Sequence, residues 1–394
     1  MLAYSLLRSL NCCVALCVAV PQLLRPRGGC ISVPGQPSPN TRPLTLGAVP
    51  SPPWAEGTGR GAGSHPRSLP TDLCPPMAGP NRTVVTDFLL VGFPSRRDLS
   101  LLLFSLALPV VLLGLAGNLG LAVLIRADRS LHTPMYYFLS HLALLDLCSC
   151  CAVGPVMLWG LLAGWAALPG PACALQMFLF ATAGDAECCL LAAMAYDRYA
   201  AVCRPLHYQA AVPPRLCRGL VLGSYAAGAA SAAVHSGLAF RLPFCRSRAL
   251  DRFFCDIPPV LELACADTSL NQALLLAICG AIQSVTLLAI LASYGLILGA
   301  VGRAGLRRAA PTCGSHLAAV AVLYGTLIFM YLRPEGSYAA QADKMAAAFY
   351  TVVIPTLNPA IYSLRNADVK GALARRLLGG RRVWGGLRKG LEEG

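Results

Sequence analysis

The side chains with chemistry to offer are few: Asp146, Asp185, Glu187 and the pair Asp197–Arg198, each inside or at the end of a long apolar stretch. Ionisable groups inside an apolar helix are costly in a bilayer, so they belong on a bundle interior, against water or against a partner. Glu187 and Arg198 are eleven residues apart, about three helical turns, and share a helix face. Asp185 lies about 200° around that helix from Glu187, facing the ligand space between spans three and five or packed as a hydrogen-bonded acid on span four or five. Two buried acids can share a proton, as in an intramembrane aspartyl protease, with Asp146 and Asp185 as candidates. Tyr196-Asp197 matches such an enzyme's first motif superficially. However, Gly-x-Gly-Asp is absent, and Asp185 and Asp197 fall on one helix in the wrong order. No Gly-rich phosphate loop, metal-spaced His cluster or serine elbow appears, and no paired broken segments suggest a transporter's inverted repeats. The remaining chemistry is a latch, in which Asp197 and Arg198 at the mouth of a helix hold its neighbours until a signal releases them.

The elements that position these groups are membrane spans. The chain is 56% hydrophobic and 13% charged, with a mean hydropathy of +0.59, unlike a soluble domain of this length. Apolar stretches long enough to cross a bilayer recur at Leu99–Ile125, Tyr136–Ala163, Cys173–Tyr196, Gly219–Phe240, Leu270–Val301, Leu317–Leu332 and Met345–Leu364. Each must be helical, because hydrocarbon offers no partner to open backbone groups. The fold class is therefore an all-α membrane protein, a seven-helix bundle.

Lys and Arg set its orientation. The first, third and fifth connections carry Arg126 and Arg129, then Arg204, Arg215 and Arg218, then Arg303, Arg307 and Arg308. The C-terminal segment is basic as well, so it is cytoplasmic and the N-terminus outside. The net charge of +14 reads as topology and attraction to anionic headgroups, not as a nucleic-acid face. Of eighteen cysteines, Cys173, Cys245, Cys255 and Cys265 lie on the oxidising outer side, where four allow three pairings. They lack the Cys-x-x-Cys spacing of zinc sites. No metal or cofactor is expected. Residues 1–76 read as an unfolded extension, with twelve prolines between Gly28 and Pro80. A weak signal-peptide pattern at Cys12–Val20 and an internal start at Met77 are both open readings. The chain thus divides into 1–76, an outer segment 77–98, the bundle 99–366 and a basic tail 367–394.

Several motifs, in order, resemble one family. Met194-Ala-Tyr-Asp-Arg-Tyr199 with Cys203 and Arg204-Pro-Leu-His-Tyr208 ends span three. Asn81-Arg-Thr83, a glycosylation acceptor, precedes Phe88-Leu-Leu-Val-Gly-Phe93, and Gly117-Asn118 lies in span one. His132-Thr-Pro-Met-Tyr-Tyr-Phe-Leu-Ser140 follows, and Leu242-Pro-Phe-Cys245 and Phe253-Phe-Cys-Asp-Ile-Pro-Pro259 lie before span five. Ser293-Tyr294, Thr312-Cys-Gly-Ser-His-Leu317 and Pro355-Thr-Leu-Asn-Pro-Ala-Ile-Tyr362 complete the set. The chain resembles the odorant receptors, rhodopsin-like G-protein-coupled receptors, from about Asn81 to Asp368.

The resemblance implies a receptor at the plasma membrane that binds small, mostly hydrophobic volatile ligands and activates an olfactory-type stimulatory G protein to raise cAMP. A chemosensory receptor for a non-odorant molecule outside the nose would use the same frame. The ligand would be lined by Phe180, Ala181, Gly184, Asp185, Ile278, Ile282, Tyr324, Leu327, Ile328 and Thr351. Asp197, Arg198, Tyr199, Tyr294, Asn358, Pro359 and Tyr362 would form the coupling switch, with Tyr294 and Tyr362 engaging Arg198 once it leaves Asp197. Asn118, Asp146, Glu187 and Asn358 would form a polar core, with or without a cation. Asn81 would carry the glycan. Cys173 would pair with Cys255, with Cys245 and Cys265 the remaining pair. Pro311 departs from the family's pattern and is expected to kink the inner end of span six.

Overall fold

Helix boundaries fall where local chemistry sets them. Pro134 starts span two at its first turn, where its missing N–H costs nothing, and Gly164 ends that span in the left-handed conformation at φ 84°. The computed structural model describes residues 87–93, 96–244, 249–331, 340–364 and 366–376. Spans one to four are the helices Arg97–Ala127, Pro134–Ala163, Gly170–Cys203 and Pro214–Ala239. Spans five and six lie within the helical stretch Ser269–Tyr331. Span seven is Ala340–Ala348, a π-helical turn Phe349–Val353, and Ile354–Leu364. Among the described residues, five helical segments are long and apolar enough by composition to cross a bilayer. Span four is long but rich in Gly, Ala and Ser, and the apolar part of span six, Cys313–Ile328, is short.

Spans five and six fold back on each other although helical backbone runs through the connection. The hydroxyls of Thr286 and Tyr324 are 2.6 Å apart and Tyr294 Oη lies 2.9 Å from His316 Nδ1. A straight helix would separate the first pair by about 57 Å. Both pairs centre on residue 305, so the reversal falls at the expected Arg303–Arg308 connection. Pro311 follows it within helical backbone; its side chain lies outside those described.

Span three is the hub, packed on spans two, four, five and six. Spans one and five present leucines such as Leu106, Leu113, Leu276 and Leu288 to the outside, the face a bilayer covers. Glycine sets the closest approaches. A Cβ at Gly228 of span four would lie 2.5 Å from Thr182 O of span three, and one at Gly114 would lie 2.7 Å from Thr356 Oγ1.

The outer end carries a small sheet that the all-helical expectation did not contain. Its strands are β1 (Asp87–Leu90), β2 (Ala166–Pro169) and β3 (Ala249–Leu250), in the order β2-β1-β3. β1 runs antiparallel to β2, with Phe88 opposite Leu168, and parallel to β3. Phe88, 1% exposed, meets Phe240 and Phe244 edge-on at 5.9 and 5.4 Å. The segment before span one is thus stitched to the first and second outer loops. At the inner end residues 367–376 form a further helix with Val369 and Ala372 buried and its basic residues exposed.

Candidate functional site

At the outer end, Cys173 at the start of span three is bonded to Cys255 of the second outer loop, with Cα atoms 5.5 Å apart. Cys265 is also disulfide-bonded, whereas Cys245 and the glycosylation candidate Asn81 lie outside the described residues. One turn below Cys173, Gln176 accepts from the Cys255 N–H at 2.8 Å and donates to Ala152 O of span two at 2.7 Å. One buried amide therefore positions the loop that the disulfide anchors. Asp251 of the same loop meets Lys344 at the top of span seven at 2.5 Å. Asp256, buried in this loop, is held above the ordinary carboxylate range by burial, opposed by the Ile257 N–H and Arg252.

Beneath this lid the expected ligand positions divide. Phe180 is buried between Phe254 of the loop at 5.0 Å and Tyr350 of span seven at 5.4 Å. Gly184 faces the Tyr350 hydroxyl, 2.7 Å from where a Cβ would sit. Ala181 and Ile282 are partly buried against the core, Ile278 is half-buried, and Leu327 is buried. Tyr324 is committed to Thr286, and Thr351 donates back to Ala347 O within its own span. One placement corrects the expectation from helix phase, and another decides between two readings left open. Ile328 is 47% exposed, at the edge of the buried stripe that Tyr324 and Leu327 define. Asp185 turns toward span four, where Ser231 is its polar neighbour and Oδ2 has no partner, on the face where Gly228 lets that helix come close. Tyr350 and Phe254 were missed, although Phe254 lies in a quoted motif and Tyr350 within span seven.

At mid-depth, Asn358 Nδ2 donates to both oxygens of Asp146 at 3.2 and 3.0 Å and to Glu187 Oε1 at 3.1 Å. One amide of span seven thereby joins acids from spans two and three, all three residues buried. Asn118 is not bonded to these acids. It repairs the helix beside them: Pro359 has no N–H for Pro355 O, and Asn118 Nδ2 supplies one at 2.7 Å. Pro355 likewise cannot donate to Thr351 O, and the π-helical turn, with Ile354 N bonded to Phe349 O, absorbs that defect. Among the described residues no group of three or more His, Cys, Asp or Glu side chains is arranged to hold a metal ion.

At the inner end the expected Asp197–Arg198 latch is corrected. No ion pair joins the two among the described residues, and adjacent helix residues diverge by about 100°. Asp197 is 1% exposed and accepts instead from Tyr208 Oη of the second inner loop at 2.6 Å. The Tyr208 hydroxyl is pushed up in pKa, first by burial and then by that bond. Arg198 has a buried Nη2 without a partner, and Tyr362 Oη, in span seven, is also buried and unpartnered. Tyr294 does not reach for Arg198. His316 Nε2 faces only the Leu191 carbonyl, at 3.0 Å, so it carries the hydrogen, and Nδ1 accepts from Tyr294.

A family model described as olfactory receptor matches residues 106–379, more than half of the chain. The chain belongs to the olfactory receptor family. It is 60% identical over 291 residues to human Olfactory receptor 5C1, covering 73% of this chain and 91% of that one. It is 46% identical over 303 residues to mouse Olfactory receptor 5AR1, covering 76% and 97%, and 47% identical over 299 residues to mouse Olfactory receptor 5T7, covering 75% and 96%. The receptor is a multi-pass, seven-span membrane protein of the odorant type, and the protease reading of its buried acids falls. Its inner face is completed by the tail helix. Tyr136 Oη lies 3.1 Å from Asn366 Oδ1 and 3.0 Å from Asp368 Oδ2, and Arg375 bonds Asp128 of the first inner loop at 3.0 Å.

Proposed function

We propose that this receptor, at the plasma membrane, binds small, mostly hydrophobic volatile ligands under its second outer loop and activates an olfactory-type stimulatory G protein, raising cAMP. The Asn358 bridge carries the reading. A single amide on a proline-bent span holds acids from two other spans, so a ligand that shifts span seven alters the core directly. Phe180, Ala181, Gly184, Ile278, Ile282, Leu327, Tyr324 and Thr351 form the ligand shell, with Tyr350 and Phe254 added. Asp197, held by Tyr208, keeps the inner end at rest; on activation Tyr294 and Tyr362 swing to engage Arg198, and Arg198 with Tyr199 meets the G protein. Asn81 carries the glycan and Cys245 pairs with Cys265. The test is cAMP in transfected cells across a panel of volatile ligands, with Arg198→Ala at matched surface level. Stimulated cAMP is expected in the parent and absent from the variant; a full response in Arg198→Ala would refute the route.

A further inference from the structure

Between the inner ends of spans one, two and four lies a cleft of about 690 Å³ that signalling, as proposed above, does not use. Its size falls within the roughly 300–1,000 Å³ of ordinary small-molecule sites. Ile125, Leu131 and Tyr137 supply apolar wall, and Arg126, His132 and Arg218 supply polar groups at the mouth. No acidic residue lines it. The His132 ring lies against the end of span one, with Nε2 3.2 Å from Arg126 O, and Arg218 donates from Nε to Pro214 O at 3.3 Å, leaving its terminal nitrogens. The cleft sits beside Asp128, which Arg375 of the tail helix bonds, so it lies at the cytoplasmic membrane surface. One helical turn from Arg126 and Arg218, Val123 and Leu222 are 53% and 70% exposed, so the helix faces that bear the two arginines continue into the lipid-facing surface.

We infer that this cleft is a binding site for an anionic phospholipid of the cytoplasmic leaflet, its phosphate on Arg126 and Arg218 and its acyl chain along Ile125 and Tyr137. The charge and the depth match: that leaflet is anionic, and a basic side chain at its surface attracts such lipids. Continuity with the lipid face argues for a ligand arriving through the membrane over a free phosphate from solution. The inference needs only the membrane placement of the chain, so it stands or falls apart from G-protein coupling.

The full-length receptor, purified in mixed micelles, is titrated with fluorescent phosphatidylserine, with fluorescent phosphatidylcholine, and with glycerophosphoserine as competitor. Arg126→Gln/Arg218→Gln is compared with Arg129→Gln/Arg215→Gln, which removes equal charge from exposed positions outside the cleft. Phosphatidylserine is expected to bind in preference to phosphatidylcholine, with a loss of roughly 30-fold in the cleft variant and less than about twofold in the control. Arg126→Lys/Arg218→Lys should restore most of the binding, which separates loss of the site from loss of the fold. Equal loss in both Gln variants, no headgroup preference, or displacement by glycerophosphoserine at lipid-like concentration would each overturn the inference.

Discussion

At the scale of single residues, the proposed resting state of the inner end is tested at Tyr208. Its hydroxyl is the partner of Asp197, and a hydrogen bond to a carboxylate contributes about 1.5–3 kcal/mol at most when well shielded. Tyr208 is only partly buried, so about 1 kcal/mol is the reasonable figure. Tyr208→Phe should therefore raise ligand-free cAMP by about fivefold, measured against surface receptor, while Tyr199→Phe, which removes no such bond, should not. Equal basal levels in Tyr208→Phe and the parent would return the latch to Arg198. Asn358 is the second decisive residue. Asn358→Ala leaves Asp146 and Glu187 buried side by side without their shared donor, at a cost of about 1–3 kcal/mol. Thermal denaturation in micelles should register that loss, and the ligand response should fall with it.

At the scale of elements, helix contacts separate glycines by what surrounds them. Gly228→Ala places a methyl 2.5 Å from the Thr182 carbonyl, backbone that cannot swing aside, so spans three and four must part at about 1–3 kcal/mol. Gly223→Ala on the same helix meets nothing within 4 Å and should be neutral or slightly stabilising. A thermal-shift comparison of the two decides whether span three is packed as tightly as described. The spans were legible in the sequence because a bilayer demands long apolar runs, and that signal is strong even where span six is short. The outer sheet was not, since strands of two to four residues carry no period, and Phe88-Leu-Leu reads as the start of an apolar run. The polar core was half legible. Its acids stand out in apolar helices, but Asn118 looked like another core member, and only the missing N–H of Pro359 explains where its amide goes. The Tyr208–Asp197 bond joins a loop to a helix, a register that hydropathy does not encode. Asp128, lowered to about 2 by the Ser130 side chain, the Ser130 N–H and Arg375, keeps its contact with the tail helix at all pH above its ordinary carboxylate range. Its contribution is lost only as pH falls toward 2, so Arg375 exchange or crosslinking to the loop should be constant between pH 5 and 8.

At the scale of the whole molecule, the outer end is a lid built from distant segments: β1 before span one, β2 after span two, and the loop that Cys173, Gln176 and Lys344 hold. The disulfide closes a separation of 82 residues, and such bonds contribute about 2–5 kcal/mol. Cys173→Ser should accordingly lose surface receptor, not merely ligand sensitivity. The lid also draws a line through the N-terminal segment. A chain begun at Met77 keeps Asn81 and all of β1, and residues 1–76 have no apolar pattern with which to build a core, so surface level and signalling should match the parent. A chain begun at Val91 deletes β1, strips β2 and β3 of their shared partner, and uncovers Phe240 and Phe244 where Phe88 packed. Burying a phenylalanine side chain is worth about 1.5–3 kcal/mol, so this second truncation should retain few receptors at the surface. Flow cytometry of both truncations with an epitope tag at each new N-terminus gives the comparison. If the Met77 chain fails while the full chain succeeds, the extension directs traffic; if the Val91 chain succeeds, the sheet is dispensable and the disulfide alone holds the lid.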